Sequence, residues 1–564
     1  MFRERLILII APLIMVVCLG VSGAMLPRIM EESENNALRY TNVVVDGAPP
    51  IVALGTAIGA LRGLIVDFLW VKMSWMKEKG QYYEMMADSA LITKLQPRFA
   101  MVWGFLGHNM AYNISVATHT VPERWTWVNA GIRLLRDQGL RYNPNDVTLH
   151  RELAFIFAHK VEGYSDDANL YYKQQLCREW HLVLGEPPPD QAARVAWIKE
   201  IADAPDTYNE AVARVPEIAQ LVEQLRAAVP KDQLQYTFEL DQDFLGSYVM
   251  WQAIMQQSTS AKVFGMAEEQ MKNPYFAVFD KLARDPAYAK AWATLLAYVR
   301  KRVLKDSYNM DPQLMYEYTR DLGPIDWRHG QAHALYWSRK GSQSGEGRVR
   351  DYDIYIVINN DSQQLQAMQD LARWGRISYD PITNELPGRF PEPRWIDTVD
   401  SLFDYFYLKH YDVRGGGGER FINFLQNFLG NAIREWYRSG ETQRALKLME
   451  RLDNLFGRGA RPPNNKYIPT LDNLKVFVKN ETFDQYQMQP WLAPSEVAAS
   501  LHYGFKEGVI GHRPEVLREA LCLSDPDAIF GKRVPPLEYV GGRLVSPGRP
   551  PQELPVEPAS DVPA

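Results

Sequence analysis

Residues 6–26 read LILIIAPLIMVVCLGVSGAML, 21 positions without a single charge. As a helix that run is about 31 Å long, which matches a bilayer hydrocarbon core of about 30 Å. Pro12 lies near its start and at most kinks it. Arg3 and Arg5 precede the run, whereas Glu31, Glu32 and Glu34 follow it. Basic residues stay on the cytoplasmic side, so residues 1–5 are expected inside and the bulk of the chain outside. The expectation is a transmembrane anchor over 6–26 and a single-pass inner (cytoplasmic) membrane protein. Ser22-Gly23-Ala24 offers a cleavage site for the rival reading, a signal peptide, but the run exceeds the 7–15 residues of a usual signal core. A second apolar stretch, Ile51 to Met73, contains Arg62 and Asp67. Each would cost about 2.5–3.5 kcal/mol at a bilayer centre, so a helix buried against protein is the cheaper arrangement. Lys72, Lys77 and Lys79 just beyond it leave a second span as the alternative, which would return the bulk to the cytoplasm.

Composition narrows the remainder. Among 564 residues the formal net charge is −6, so no global basic field exists to attract nucleic acid. Three cysteines exclude a disulfide-stapled scaffold and any multi-cysteine metal site. Aromatic residues reach 12%, with 15 Trp and 29 Tyr. Most are expected as knobs between packed helices, a minority as contact anchors on a surface.

Hydrophobic spacing divides the chain as follows. Residues 27–50 are a linker that ends in TNVVVDGAPP. Residues 51–182 show apolar positions three and four apart without sustained alternation, the mark of helices. A Glu186-Pro-Pro-Pro-Asp190 break opens a helical insertion over 183–270, within which LQYTFELD has strand character. Helix pairs resume over 271–345, although Gly341 to Arg348 (GSQSGEGR) reads as a loop. A second helical region spans 346–530. It begins with Tyr352 to Ile358 (YDIYIVI), of strand composition yet short enough to be helical. Residues 420–456 are strongly helical. From 531 to 564 the tail is Pro-rich and poor in large apolar groups, so disorder is expected.

Prolines recur with a fixed sequel. Pro97 is followed six residues on by Trp103, then by Leu106 and Gly107. Pro144 is followed at the same offset by His150, then Leu153 and Ala154. Pro286 is followed by Trp292, and Pro324 by Gly330, His333 and Trp337. Gly80 stands between two helical runs, as does Gly440. This pattern resembles the tetratricopeptide repeat (TPR), with its W-x2-L-G-x2-Y first helix, a small residue at the turn and a closing proline. The resemblance implies structural roles: Trp103, Leu106 and Gly107 on a first helix, Gly80 at an inter-helix turn, Pro97, Pro144 and Pro286 at helix ends, and Trp292 as a core knob. The interval of 47 residues from Pro97 to Pro144 departs from the repeat length of 34. The segments RGLIVDFLW and PIDWRHGQAHALYW also resemble parts of membrane-anchored TPR-like proteins of bacteria, a resemblance that brings no activity with it. The fold class expected is all-α: the N-terminal transmembrane helix, an irregular α-α helical-repeat solenoid with insertions, and the disordered tail.

No catalytic set assembles from the sequence. His329 and His333 lie four apart, but a third metal ligand and the glutamate of HExxH are missing; Asp326, Trp327 and Arg328 suit a local turn contact. The four glycines at 415–418 lack the Lys-Ser/Thr of a phosphate loop. Glu239, Asp241 and Asp243 lack calcium-loop spacing. Cofactors and metals are therefore not expected. By repeat phase, Tyr82, Tyr83, Asn109 and Tyr112 face the concave groove of a solenoid, where amphipathic rings anchor a partner. The function expected is a membrane-anchored TPR-like scaffold or adaptor for a protein or peptide partner in the bacterial envelope, without catalysis. The alternatives are an envelope enzyme with its site in 183–270 or 346–420, and an accessory subunit of a membrane transport complex.

Overall fold

The computed structural model describes residues 59–228, 238–257, 274–349, 353–413, 417–488 and 492–524, two short segments at 538–540 and 543–545, and scattered helical positions between 14 and 32. The described chain is helical throughout apart from two two-stranded ladders. Most of the 6–26 run lies outside the described residues. Among the described residues no helix is long and apolar enough to cross a membrane. The 531–564 tail is also outside them, apart from a short antiparallel pair, Glu538–Val540 with Arg543–Val545, where no regular structure was expected.

The first layer comprises α1 (Gly59–Glu78), α2 (Tyr82–Leu95), α3 (Ala100–His108), α4 (Val121–Arg133) and α5 (Val147–Phe155). Arg62 and Asp67 thus sit in a helix, α1, that packs on α2 through Val66, Leu69 and Met73. Its other face leaves Phe68, Val71 and Trp75 exposed. Between α1 and α2, Gly80 adopts φ +70, a left-handed turn that glycine makes without steric cost. Helices α3, α4 and α5 each continue into one π-helical turn: Asn109–Ile114, Leu134–Gly139 and Ile156–Val161. Such turns insert an extra residue and rotate the side chains that follow. Gly107 lies where this layer crosses most closely, since a Cβ there would sit 2.5 Å from Leu135 Cγ.

The six-residue offset has a physical basis. Trp103 Nε1 donates to Pro97 O at 2.8 Å, and His150 Nε2 to Pro144 O at 2.8 Å. Arg194 Nε donates to Pro188 O at 2.9 Å, and His333 Nε2 to Trp327 O at 2.9 Å. In each case the donor is the fourth helical residue and the acceptor stands two before the cap. Helical side chains lean toward the N-terminus, so this position reaches back and ties down the incoming loop. Trp292 holds the same position on its helix, but its Nε1 finds no hydrogen-bond partner among the described residues, and its ring is buried.

Helices α6 (Asn169–Leu184), α7 (Gln191–Ala202), α8 (Tyr208–Arg214), α9 (Glu217–Ala228), α10 (Gln242–Gln257), α11 (Pro274–Ala283), α12 (Ala289–Asp306) and α13 (Pro312–Asp321) follow. Residues 183–270, expected as an insertion, build this body: α7 packs on α13, α10 on α6, and α9 on α11 and α12. Ile198, Leu221 and Leu245 join the same hydrophobic core as Trp103 and Trp337. Most of LQYTFELD lies outside the described residues.

Helix α14 (Gly330–Gly345) is the hub. Every residue from Gly330 to Ser338 is buried, as a helix surrounded by protein requires, and it packs on both α5 and α15 (Ile354–Trp374). The loop expected at Gly341–Arg348 is in fact the end of α14 and a 3-10 turn, Glu346–Arg348. Its glycines permit close crossing: a Cβ on Gly341 would lie 2.6 Å from His150 Cβ, and one on Gly345 2.4 Å from Asn145 O. YDIYIVI is helical from Ile354, its β-branched composition overridden by packing on α14. After α15 a small hairpin pairs β1 (Arg376–Ser378) with β2 (Gly388–Phe390), Ile377 opposite Arg389. The chain closes with α16 (Ile396–Lys409), α17 (Glu419–Arg438), α18 (Thr442–Phe456), α19 (Leu471–Met488), α20 (Leu492–Tyr503) and α21 (Pro514–Leu523). Gly440, at φ +88, makes the turn between α17 and α18.

Candidate functional site

The loop before α14, Asp326-Trp327-Arg328-His329, separates two recesses of about 690 and 720 Å³. Asp326 and Arg328 line the larger. Arg328 grips Asp326 with two prongs, Nε to Oδ1 at 2.9 Å and Nη2 to Oδ2 at 2.7 Å, the local contact that the sequence suggested. Its Nη1 stands 3.3 Å from His181 Nδ1, and Nη2 also donates to Ile377 O at 3.2 Å. Burial penalises both charges, and their mutual attraction outweighs it, so Asp326 is held below and Arg328 above the ordinary value.

His329 and Gln331 line the other recess. His329 caps α14: its Nδ1 accepts the Gln331 N–H at 3.1 Å, and its Nε2 stands 3.3 Å from Arg389 Nη1. Glu162 comes from the end of the Ile156–Val161 π-turn. Its Oε1 accepts the Gly330 N–H at 2.7 Å, and Arg389 of β2 donates to both of its oxygens. Burial alone would raise the Glu162 carboxyl, but the guanidinium of Arg389 and the His329 ring hold it down to about 2. Burial keeps His329 neutral, its pKa lowered to about 4 against the pull of Glu162. His333, four residues on, is turned away and bonds Trp327 O. The two histidines therefore share no ligand position.

Behind this wall lies Lys173, whose Nζ donates to Asn169 Oδ1 at 2.7 Å and to Gly163 O at 3.3 Å and sits 3.9 Å from the Tyr164 ring centroid. Burial depresses it to about 7, with Glu162 opposing in part. Asp370, on the same recess, accepts from Gln331 Nε2 at 2.8 Å and Gln366 Nε2 at 3.1 Å, and burial raises its carboxyl. Its neighbour Arg373 makes no hydrogen bond among the described residues, its nearest carboxylate being Asp370 at 3.9 Å. The far wall is formed by α17 and α19 through Gln426, Asn427, Arg434, Phe477 and Glu481, with Lys466 and Tyr467 from the segment that joins α18 to α19. The deep ionisable groups are thus tied mainly to one another. They supply a fixed shape, and apart from Lys173 they do not titrate close to pH 7.

Of the four residues singled out by repeat phase, Asn109 and Tyr112 have described side chains. Asn109 is buried, and its Oδ1 accepts from Asn113 Nδ2 at 2.7 Å. Its burial corrects the expectation of a groove-facing amide: the turn that begins at this position packs on α4. Tyr112 is half-buried, stacked on His108 with centroids 4.5 Å apart and bonded to His159 Nδ1 at 3.2 Å. The side chains of Tyr82 and Tyr83 lie outside the described residues. Among the structural positions, Trp103, Leu106 and Trp292 are buried, Pro97 and Pro144 accept the bonds described above, and Pro286 opens the 3-10 turn before α12. Glu162, Arg389 and Arg373 were missed from sequence. The one available signal was the polar loop PIDWRHG preceding an apolar helix. Comparison with family models, with curated proteins and with solved structures finds no match for this chain.

Proposed function

We propose that the chain is a membrane-anchored helical scaffold of TPR-like construction that captures a protein or peptide partner in the bacterial envelope, with the recess beside His329 as its contact site. The observation that carries this reading is the recess itself. Eight separate stretches of the chain contribute to its walls, aromatic rings stand beside charges of both signs, and its deepest carboxylate, Glu162, is neutralised by Arg389. A pre-formed recess of this kind suits recognition, and its acid and base, locked together, are poorly placed for proton transfer at neutral pH. Anchoring is supported by the uncharged 6–26 run and by the Phe68, Val71 and Trp75 stripe on α1, which are 68%, 60% and 66% exposed. Contiguous exposed apolar side chains mark protein or membrane contacts. The test is a crosslinking pull-down of the full-length chain from native membranes, combined with protease treatment of a C-terminal tag in spheroplasts. A defined partner and a cleaved tag are expected. No partner, or a protected tag, would refute the scaffold or its orientation respectively.

A further inference from the structure

We propose that the recess beside His329 takes a carboxylate of the bound peptide between Arg373, Arg434 and Lys466. The inference rests on the scaffold reading above and specifies its ligand chemistry. Three cationic groups around the recess keep donors without protein acceptors. Arg373 makes no hydrogen bond among the described residues. Arg434 spends Nε and Nη2 on Glu435 Oε1, at 2.8 Å for Nε, and its Nη1 makes no bond there. The Lys466 ammonium stands 5.1 Å over the Tyr467 ring and has no carboxylate partner among the described residues. Several other buried or half-buried arginines are held in carboxylate pairs: Arg328 by Asp326, Arg389 by Glu162, Arg376 by Glu392 and Glu519, and Arg438 by Glu496. The Arg373 side chain is 26% exposed and, among the described residues, is held only by the 3.9 Å ion pair to Asp370, so its N–H donors stand open to an anion that enters the recess.

The chemistry of the remaining wall selects the kind of anion. Glu162, Asp370, Glu481 and Asp484 line the same recess. A dianion such as a phosphoryl group would be repelled by these carboxyl groups, whereas one carboxylate neutralises one guanidinium. A guanidinium's planar fork also matches a carboxylate with two parallel hydrogen bonds. Asn427 and Asn431 present amides nearby for a peptide backbone, and Trp374, Tyr467 and Phe477 present rings for an adjoining apolar side chain.

The test uses the full chain in detergent and ligand-observed saturation-transfer NMR with four probes: N-acetyl-trialanine with a free C-terminus, its C-terminal amide, N-acetyl-Ala-Glu-Ala-amide, and inorganic phosphate as a competitor. Saturation of the free acid or the glutamyl peptide, but not of trialanine amide, is expected, and the two arms tell a C-terminal carboxylate from a side-chain one. R373Q and K466Q should each weaken that binding about tenfold, as loss of a charge-assisted hydrogen bond implies. Lys466 is exposed, so K466Q decides the matter if R373Q fails to fold. Binding of the amide equal to that of the acids, phosphate bound more tightly than either, or insensitivity to both substitutions would overturn the assignment. If the peptides do not bind while crosslinking still captures a partner, the carboxylate site fails and the scaffold stands. If they bind with Arg373 dependence while no partner is captured, the scaffold fails and the site stands.

Discussion

Lowering the pH from 7 to 5 should destabilise this fold through four histidines clustered around the hub helix. His150, His181, His329 and His333 are all buried, and burial lowers their pKa values to about 4, 3, 4 and 3. In the unfolded chain each returns to about 6.5. Between these values the unfolded state binds a proton that the folded state refuses, so stability is lost as pH falls below about 6.5. At pH 5 the linkage relation gives about 2 kcal/mol lost per histidine relative to pH 7, or about 7 kcal/mol for the four. A domain commonly has only about 5–15 kcal/mol in total. Buried carboxyls whose pKa is raised, such as Asp370 and Glu496, act in the opposite direction, so the decisive comparison is between wild type and a single variant. In H333Q the amide nitrogen can replace Nε2 as donor to Trp327 O, while the stacking of His333 on Phe157 and its tilted contact with Trp180 are lost. That variant should be less stable at pH 7 by about 1–3 kcal/mol. Its further loss between pH 7 and pH 5 should be smaller than that of wild type by about 2 kcal/mol. Urea unfolding followed by tryptophan fluorescence at the two pH values measures both quantities. Equal pH dependence in the two proteins would refute the reasoning, as would a His333 ring that titrates near 6.5 by NMR.

Other expectations follow from the same geometry. E162Q leaves the Arg389 guanidinium without its carboxylate and should cost about 3–5 kcal/mol by thermal or urea unfolding, while replacing both partners together should cost less than the sum of the two single changes. W103F removes the bond to Pro97 O and should lose about 1 kcal/mol more than W292F, whose indole nitrogen has no acceptor to lose. G107A forces Leu135 to shift and should destabilise by about 1–3 kcal/mol, whereas G80A, in open space but at φ +70, should cost about 1 kcal/mol.

The periodic text was legible because helices announce themselves through apolar spacing, and the break at Glu186–Asp190 and the turns at Gly80 and Gly440 stood where glycine or proline punctuates the chain. The recurring six-residue offset was also legible, although its cause is a side chain tying down the loop before a helix, a device open to any helix. What stayed hidden depends on tertiary structure. Gly341 and Gly345 read as loop because small polar residues favour turns, yet they sit in a helix that must approach α5 closely. The three-residue strands of the Arg376–Phe390 hairpin are too short to show alternation. The site escaped for a different reason: Glu162 and Arg389 are 227 residues apart, and the π-turn that precedes Glu162 leaves no mark in residue spacing.

The claim on which the account turns is that the recess beside His329 is where this chain meets its partner. Met488, 76% exposed, lines that recess, whereas Leu408, 72% exposed, lies on α16 away from it. A photoreactive phenylalanine at each position in turn, in the full-length chain in native membranes, compares the two surfaces directly. The account predicts one dominant adduct from position 488 and none from position 408, with R373Q weakening the first. Equal labelling at both positions, or an adduct at 408 alone, would contradict it.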